Sequence, residues 1–226
     1  MSLNHSPKIV TDGLVLCLDA SDKKSYPGSG TTWFDRSGRG NNAILRNWAS
    51  PGIVTLSRVK CFNITSTVAG TGDMEIPNFY TNYQVGDNTS TFEWWANASS
   101  TGFDAFNSGG CGNGTCIAYA EDGFYWDSTG GSPITVGFLI SSWNQYTVVQ
   151  SGSLAIAYRN GIQISTRNDW ITPPAATTSR SGVIGSRSWA NRTNNWHLSR
   201  VNWYSRALSR QEILQNFNAT RGRYGI

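Results

Sequence analysis

Paired carboxylates, a Ser-His-Asp set or a cluster of Cys and His would each give this 226-residue chain chemistry of its own. Retaining glycoside hydrolysis needs two carboxyl groups about 5–5.5 Å apart, which on one strand means acids at alternate positions facing the same side. No Glu-x-Asp-x-Glu run occurs. Glu93 stands alone in Thr91-Phe92-Glu93-Trp94-Trp95, and the adjacent Glu121 and Asp122 face opposite ways in an extended segment. Asp127 lies too far along the chain to be paired with an acid by spacing. The two histidines are His5, near the N-terminus, and His197, between Trp196 and Leu198, and no Ser-His-Asp arrangement accompanies them. Catalysis is not expected.

Metal and redox chemistry fare no better. The four cysteines, Cys17, Cys61, Cys111 and Cys116, include no C-x-x-C pair, and with two histidines they make no zinc pattern. Cys17 lies in the apolar run Leu14-Val15-Leu16-Cys17-Leu18 and reads as a small buried hydrophobe. Cys111 and Cys116, in a Gly-rich segment, could close a short loop in an oxidising compartment; a free pair suits a protein assembled in the cytoplasm equally well. Seven Asn-x-Ser/Thr sequons reflect the abundance of these residues, and would carry information only in a glycosylating pathway.

The formal charge of +4 is uneven. Residues 180–226 hold Arg180, Arg187, Arg192, Arg200, Arg206, Arg210, Arg221 and Arg223 against one acid, Glu212. Two readings stand: a solvated basic face, or a docking surface for an acidic partner. The arginines are dispersed and come with no zinc-finger, RNP or glycine-loop signature, so nucleic acid is not expected as a partner. Nor is a membrane, because no apolar stretch of 18 residues occurs, and residues 1–11 hold no apolar run of the secretory kind.

The elements that would position any site are strands. Charged residues are 14%, while Gly (24), Trp (10), Tyr (9) and Phe (9) are plentiful, which suits aromatic cores joined by tight turns. Short strand-like runs recur at 13–18, 91–98, 116–120, 134–140, 146–150 and 154–159, the rhythm of an all-β sandwich. The Asn160-Gly161 pair between alternating large residues predicts a hairpin with a type I′ turn. A final pair follows, Val183-Ile184-Gly185 and then Trp196 to Tyr204. One helix is expected, because Ser209-Arg210-Gln211-Glu212 is a capping box, with Leu208 and Ile213 as its hydrophobic staple. Ile213, Leu214 and Phe217 should share the face packed on the sandwich, and the helix should end near Asn218 to Arg221, with Gly222 as its stop signal. The expected organisation is an N-terminal arm (1–12), one sandwich (13–208), and a C-terminal helix and tail (209–226).

Two segments carry a family likeness. Asp12 to Ala20 followed by Ser25-Tyr26-Pro27-Gly28 and Thr32-Trp33-Phe34-Asp35-Arg36-Ser37-Gly38-Arg39-Gly40-Asn41-Asn42 resembles the opening of laminin-G-like, concanavalin-like jelly-roll domains. Tyr204 to Phe217 resembles their closing strand and helix, so the likeness spans about residues 12–220. It implies an all-β, two-sheet antiparallel jelly-roll sandwich with a short C-terminal helix. In Trp33 to Gly38, Asp35 and Ser37 can bond nearby backbone amides and Trp33 can plug the sheet edge. Some relatives bind calcium through loop acids, which would use Asp35 with Asp19 or Asp22, although Arg200-Val201-Asn202 carries no acid where many relatives show one. No cofactor is expected beyond that possibility.

The ending Phe217 to Ile226 is similar to versions found in tailed-phage virion proteins. This resemblance implies a non-enzymatic structural protein at a virion surface, a capsid decoration or fibre-type subunit assembled in the host cytoplasm. Its partners would be the major capsid protein or sister subunits, in a homo-oligomer. The alternative is a glycan-binding lectin or host-adhesion module. For that role Ser186-Arg187-Ser188-Trp189-Ala190-Asn191-Arg192 is the candidate loop, with Trp189 to stack on a sugar ring and Arg187 and Arg192 to hydrogen-bond it.

Overall fold

The computed structural model describes residues 7–46, 52–64, 72–79, 89–98, 117–120, 123–126, 134–135, 137, 139, 141–169, 181–184 and 196–226. Among the described residues, strands precede a short helix at the C-terminal end, and the described strand pairings are antiparallel. The larger sheet runs β13 (Ile162–Arg167), β12 (Leu154–Arg159), β11 (Trp143–Ser151), β7 (Thr89–Ala98), β15 (Trp196–Tyr204), β5 (Val59–Ile64) and β4 (Ile53–Leu56), with β1 (Leu14–Asp19) also paired to β15. The facing sheet is β14 (Gly182–Ile184), β6 (Asp73–Ile76), β3 (Ala43–Arg46) and β2 (Thr32–Trp33). A small third sheet holds β8 (Ile117–Ala120), β9 (Gly123–Trp126) and β10 (Ile134–Thr135). The molecule is the expected two-sheet β-sandwich.

Alternation along the strands builds the core. On β7, Phe92, Trp94, Ala96 and Ala98 point between the sheets, where they meet Trp33, Leu45, Met74 and Ile184. On β15, Trp196 and Leu198 point inward, a bulge between Leu198 and Arg200 shifts the register, and Val201 and Trp203 then point inward again. The bulge also divides that edge of β15 between two partners: residues 196–198 pair with β5, and 200–204 pair with β1. The expected plug is in place, since Trp33 is fully buried with its ring 4.7 Å from Phe62.

The Asn160-Gly161 hairpin joins β12 to β13 with φ of +53° and +75°, the left-handed values that a type I′ turn requires. A second turn of the same sign, Ser57 (φ +50°) and Arg58 (φ +70°), joins β4 to β5 without the Asn or Gly that would have announced it. The run expected at 134–140 is described as a strand only over Ile134–Thr135.

The helix, α1 (Arg210–Thr220), has the full capping box: the Glu212 amide donates to Ser209 Oγ at 3.3 Å, and the Ser209 amide donates to Glu212 Oε2 at 2.8 Å. The staple residues Leu208 and Ile213 share one buried cluster. Two expectations about α1 are corrected. Leu214 is exposed, and the buried stripe is instead Ile213, Asn216, Phe217 and Thr220, because the helix rests on a polar part of the sheet. The α-helix ends at Thr220, within the expected window, but Gly222 is not its stop; a 3-10 turn (Arg221–Tyr224) runs on through it, and Gly225, at φ +76°, terminates the segment.

Candidate functional site

Alternation that sends Trp and Phe inward sends the intervening residues of β1, β7 and β15 to the outer face of the larger sheet. That face carries Cys17, Asp19, Glu93, Trp95, Arg200, Asn202 and Tyr204, and α1 with its 3-10 extension lies across it. Trp95 stacks on Tyr224 with centroids 3.8 Å apart at 4°, and its indole N–H donates to Thr220 Oγ1 at 3.0 Å. This aromatic seat fixes the C-terminal segment.

Beneath the segment lies a buried polar network. Glu93 is 1% exposed and accepts from the Asn202 amide (2.8 Å) and the Asn216 amide (3.2 Å). Asn216 Nδ2 also donates to Tyr204 Oη at 3.0 Å, while its Oδ1 accepts from the Val10 backbone at 2.8 Å, tying residues 7–12 to the helix. Burial pushes the Glu93 carboxyl above the ordinary value of 4.5, with the Arg200 charge and the two amides acting the other way. Both Glu93 oxygens are thus engaged by side-chain amides rather than by another acid among the described residues.

Arg200 is anchored on all three of its nitrogens: Nε donates to Asn202 Oδ1 (3.3 Å), Nη1 to Asp19 Oδ2 (3.1 Å) and Nη2 to Cys17 Sγ (3.6 Å). Asp19 is shared, since Arg223 Nη1 lies 2.7 and 2.6 Å from its two oxygens. Burial opposes the Arg200 charge, but the Asp19 carboxyl bonded to it offsets that cost, and the guanidinium stays cationic. The Cys17 thiol is pushed up by burial, so this cysteine behaves as the expected buried small residue.

Above Arg200 opens a groove of about 740 Å³ between residues 7–11 and the C-terminal segment. Lys8, Arg200, Asn218, Arg221, Gly222 and Arg223 line it, and no acidic side chain is among its described lining residues. Of the basic C-terminal residues, Arg206 is held by Glu212 (2.6 Å) and Asp12 (2.9 Å), and Arg200 and Arg223 by Asp19, so much of the positive charge is internal to the fold. Arg221 and Arg223 remain exposed at the groove.

The Asp35 segment is a structural turn. Its Oδ1 accepts from the backbone of Cys17 (2.9 Å) and Ser37 (2.8 Å), and its Oδ2 from Ser37 Oγ (2.6 Å) and the Asn41 backbone (3.1 Å). Asp19 is occupied by two guanidinium groups, and Asp22 pairs with Arg36 at 3.5 Å. These acids do not converge, and among the described residues no group of three or more His, Cys, Asp or Glu could hold a metal ion. Arg187, Trp189 and Arg192, together with Cys111 and Cys116, lie outside the described residues. No described helix is long and apolar enough to cross a membrane.

Sequence reading missed the outer-face network. Its signal is the alternation Arg200-x-Asn202-x-Tyr204, which by itself reads as a solvated strand face; only the helix stripe containing Asn216 reveals that the face is covered.

No family model and no curated protein matches the chain. Solved structures do. The binding domain of Paraclostridial Mosquitocidal Protein 1 superposes with a TM-score of 0.68 at 16% identity, over 92% of this chain and 52% of that one. The binding domain of Botulinum neurotoxin DC in complex with SialylT gives 0.67 at 14%, over 93% and 52%. A sialidase of Trypanosoma rangeli gives 0.62 at 16%, over 93% and 33%. At these identities the likeness establishes a shared β-sandwich fold. The chain spans about half of each toxin domain and a third of the sialidase.

Proposed function

We infer that this protein is a non-catalytic carbohydrate-binding module whose ligand seats in the groove between residues 7–11 and the C-terminal segment. The observation that carries this reading is an open groove of about 740 Å³ whose lining offers guanidinium, amide and hydroxyl groups, set on a floor that Asp19 and Trp95 hold rigid. Sugars are recognised by such fixed donors and acceptors. The fold likeness supports it, because a neurotoxin binding domain of this architecture was solved in complex with SialylT. Glu93, sequestered under α1, supports a binding rather than a hydrolytic role. The test is a broad glycan array probed with the whole chain. Binding that Gly222→Trp abolishes by filling the groove is the expected result; binding to no glycan overturns the reading. The Arg187, Trp189 and Arg192 loop is a second candidate contact, and unchanged binding by Trp189→Ala would remove it.

A second reading is a capsid decoration or fibre-type subunit on a phage virion, where the module would adhere as well as assemble, as a homo-oligomer. It is supported by the resemblance of Phe217 to Ile226 to tailed-phage virion proteins. Mass spectrometry of purified particles tests it, and absence of the polypeptide from virions overturns it.

A further inference from the structure

We propose that the groove takes an acidic sugar, and that the sugar carboxylate docks on the outward edge of Arg223. This rests on the carbohydrate reading above and names the ligand class of that same site.

The two arginines of the groove have different roles. Arg200 has each nitrogen committed, to Asn202, Asp19 and Cys17, and its side chain is 9% exposed. It therefore holds Asp19 and leaves little for a ligand. Arg223 is bound to Asp19 through Nη1 alone, and its side chain is 38% exposed. Its Nε and Nη2 make no bond among the described residues, and together they form the flat two-donor edge that matches a carboxylate in bidentate geometry. Asp19 fixes that edge in place before a ligand arrives, which reduces the ordering cost of binding.

The surroundings favour an anion of modest size. Lys8, Arg200, Arg221 and Arg223 line the groove, and among the described side chains Asp19 is the carboxyl that pairs with them beneath it. Gly222 leaves open space, with nothing within 4 Å of where a Cβ would stand, so a ring can approach the backbone of the 3-10 turn. Asn218 and Thr11 supply neutral hydrogen-bonding groups for ring hydroxyls. A polyanion is disfavoured, because this is a short groove bounded by residues 7–11 and 218–226 rather than a basic stripe, and no lining residue is aromatic.

The experiment is calorimetric titration of the whole chain at low salt with 3′-sialyllactose, a glucuronic acid oligosaccharide, lactose and a 20-nucleotide single-stranded DNA. The acidic sugars should bind at least tenfold tighter than lactose, and raising the ionic strength to about 0.5 M should weaken them while leaving lactose unaffected. Arg223→Lys keeps a cation for Asp19 but loses the planar fork, and should weaken acidic sugars about tenfold with an unchanged melting temperature. Arg221→Ala, on an exposed side chain, should weaken them by a smaller factor. Equal binding of acidic and neutral sugars, or acidic binding indifferent to Arg223→Lys, overturns the carboxylate assignment and leaves the carbohydrate reading standing. Binding of DNA in preference to every sugar overturns both, as does binding of none.

Discussion

Asn216, on the C-terminal helix, donates its amide to the carboxyl of Glu93, in the middle of the larger sheet, across 3.2 Å and 123 residues of chain. The same amide serves Tyr204 Oη, and its oxygen accepts from the Val10 backbone. Asn216→Ala therefore leaves three buried groups short of a partner. The expected cost is roughly 3 kcal/mol, read from urea unfolding, with residues 7–12 losing hydrogen-exchange protection. A cost under about 0.5 kcal/mol would mean that the network does not hold the helix.

Glu93 and Glu212 should give stability opposite dependences on pH. Burial raises the Glu93 pKa, so the folded state keeps a proton that the unfolded chain has released. Its contribution is full below the ordinary value of 4.5 and declines as pH rises toward the folded value. Glu93→Gln should flatten that decline in urea midpoints measured from pH 4 to 9. Glu212 is held down to about 2, chiefly by the Arg206 hydrogen bonds, so its contribution is present above 4.5 and is lost as pH falls toward 2. Glu212→Gln should remove that acid-side loss. Parallel curves for variant and wild type would refute either assignment.

Gly161 combines a φ of +75° with a close neighbour, since an added Cβ would sit 3.1 Å from Leu214 Cδ1 and 3.5 Å from Phe217. Gly161→Ala should cost about 1–2 kcal/mol, mostly backbone strain. Gly152→Ala makes an informative comparison, because it shares a positive φ but meets nothing within 4 Å. Its smaller loss would isolate the contact with α1.

Tyr224 covers Trp95 and donates to Ser199 Oγ at 3.1 Å. Tyr224→Ala should destabilise the fold by about 3 kcal/mol and red-shift tryptophan emission as Trp95 meets water. Tyr224→Phe keeps the stack and should cost about 1 kcal/mol. Equal losses for the two variants would assign the effect to the hydroxyl.

Cys17 and Cys61 should resist iodoacetamide at pH 8 in the folded protein and react in guanidinium chloride, as peptide mass spectrometry can follow. Burial pushes the Cys61 thiol up to about 12 and raises Cys17 as well. Rapid native labelling of Cys17 would show that the C-terminal segment opens.

Local chemistry was legible in the sequence. The Asn160-Gly161 turn, the Ser209–Glu212 box and the Asp35 turn each draw on residues a few positions apart, whose preferences hold whatever surrounds them. The Ser57-Arg58 turn was not legible, because the β4–β5 pairing imposes positive φ on residues that do not favour it. Leu214 was misplaced because an apolar stripe was assumed, whereas the sheet beneath offers Glu93 and Tyr204 and selects Asn216 instead. The Asp19, Arg200 and Arg223 cluster joins residues 181 and 204 positions apart, and no local pattern encodes such a meeting.

Those separations also govern how the molecule reaches its native state. The groove floor needs β1 to meet β15 and the 3-10 turn, so a loop of 181 or 204 residues must close before Asp19 finds either arginine. Contacts of such high order slow folding, because the entropy of closure is lost before the contact rewards it. During synthesis the inward aromatic layer can begin to condense as strands emerge. The outer layer must wait for residues 216–224, so the groove forms only after the sandwich beneath it.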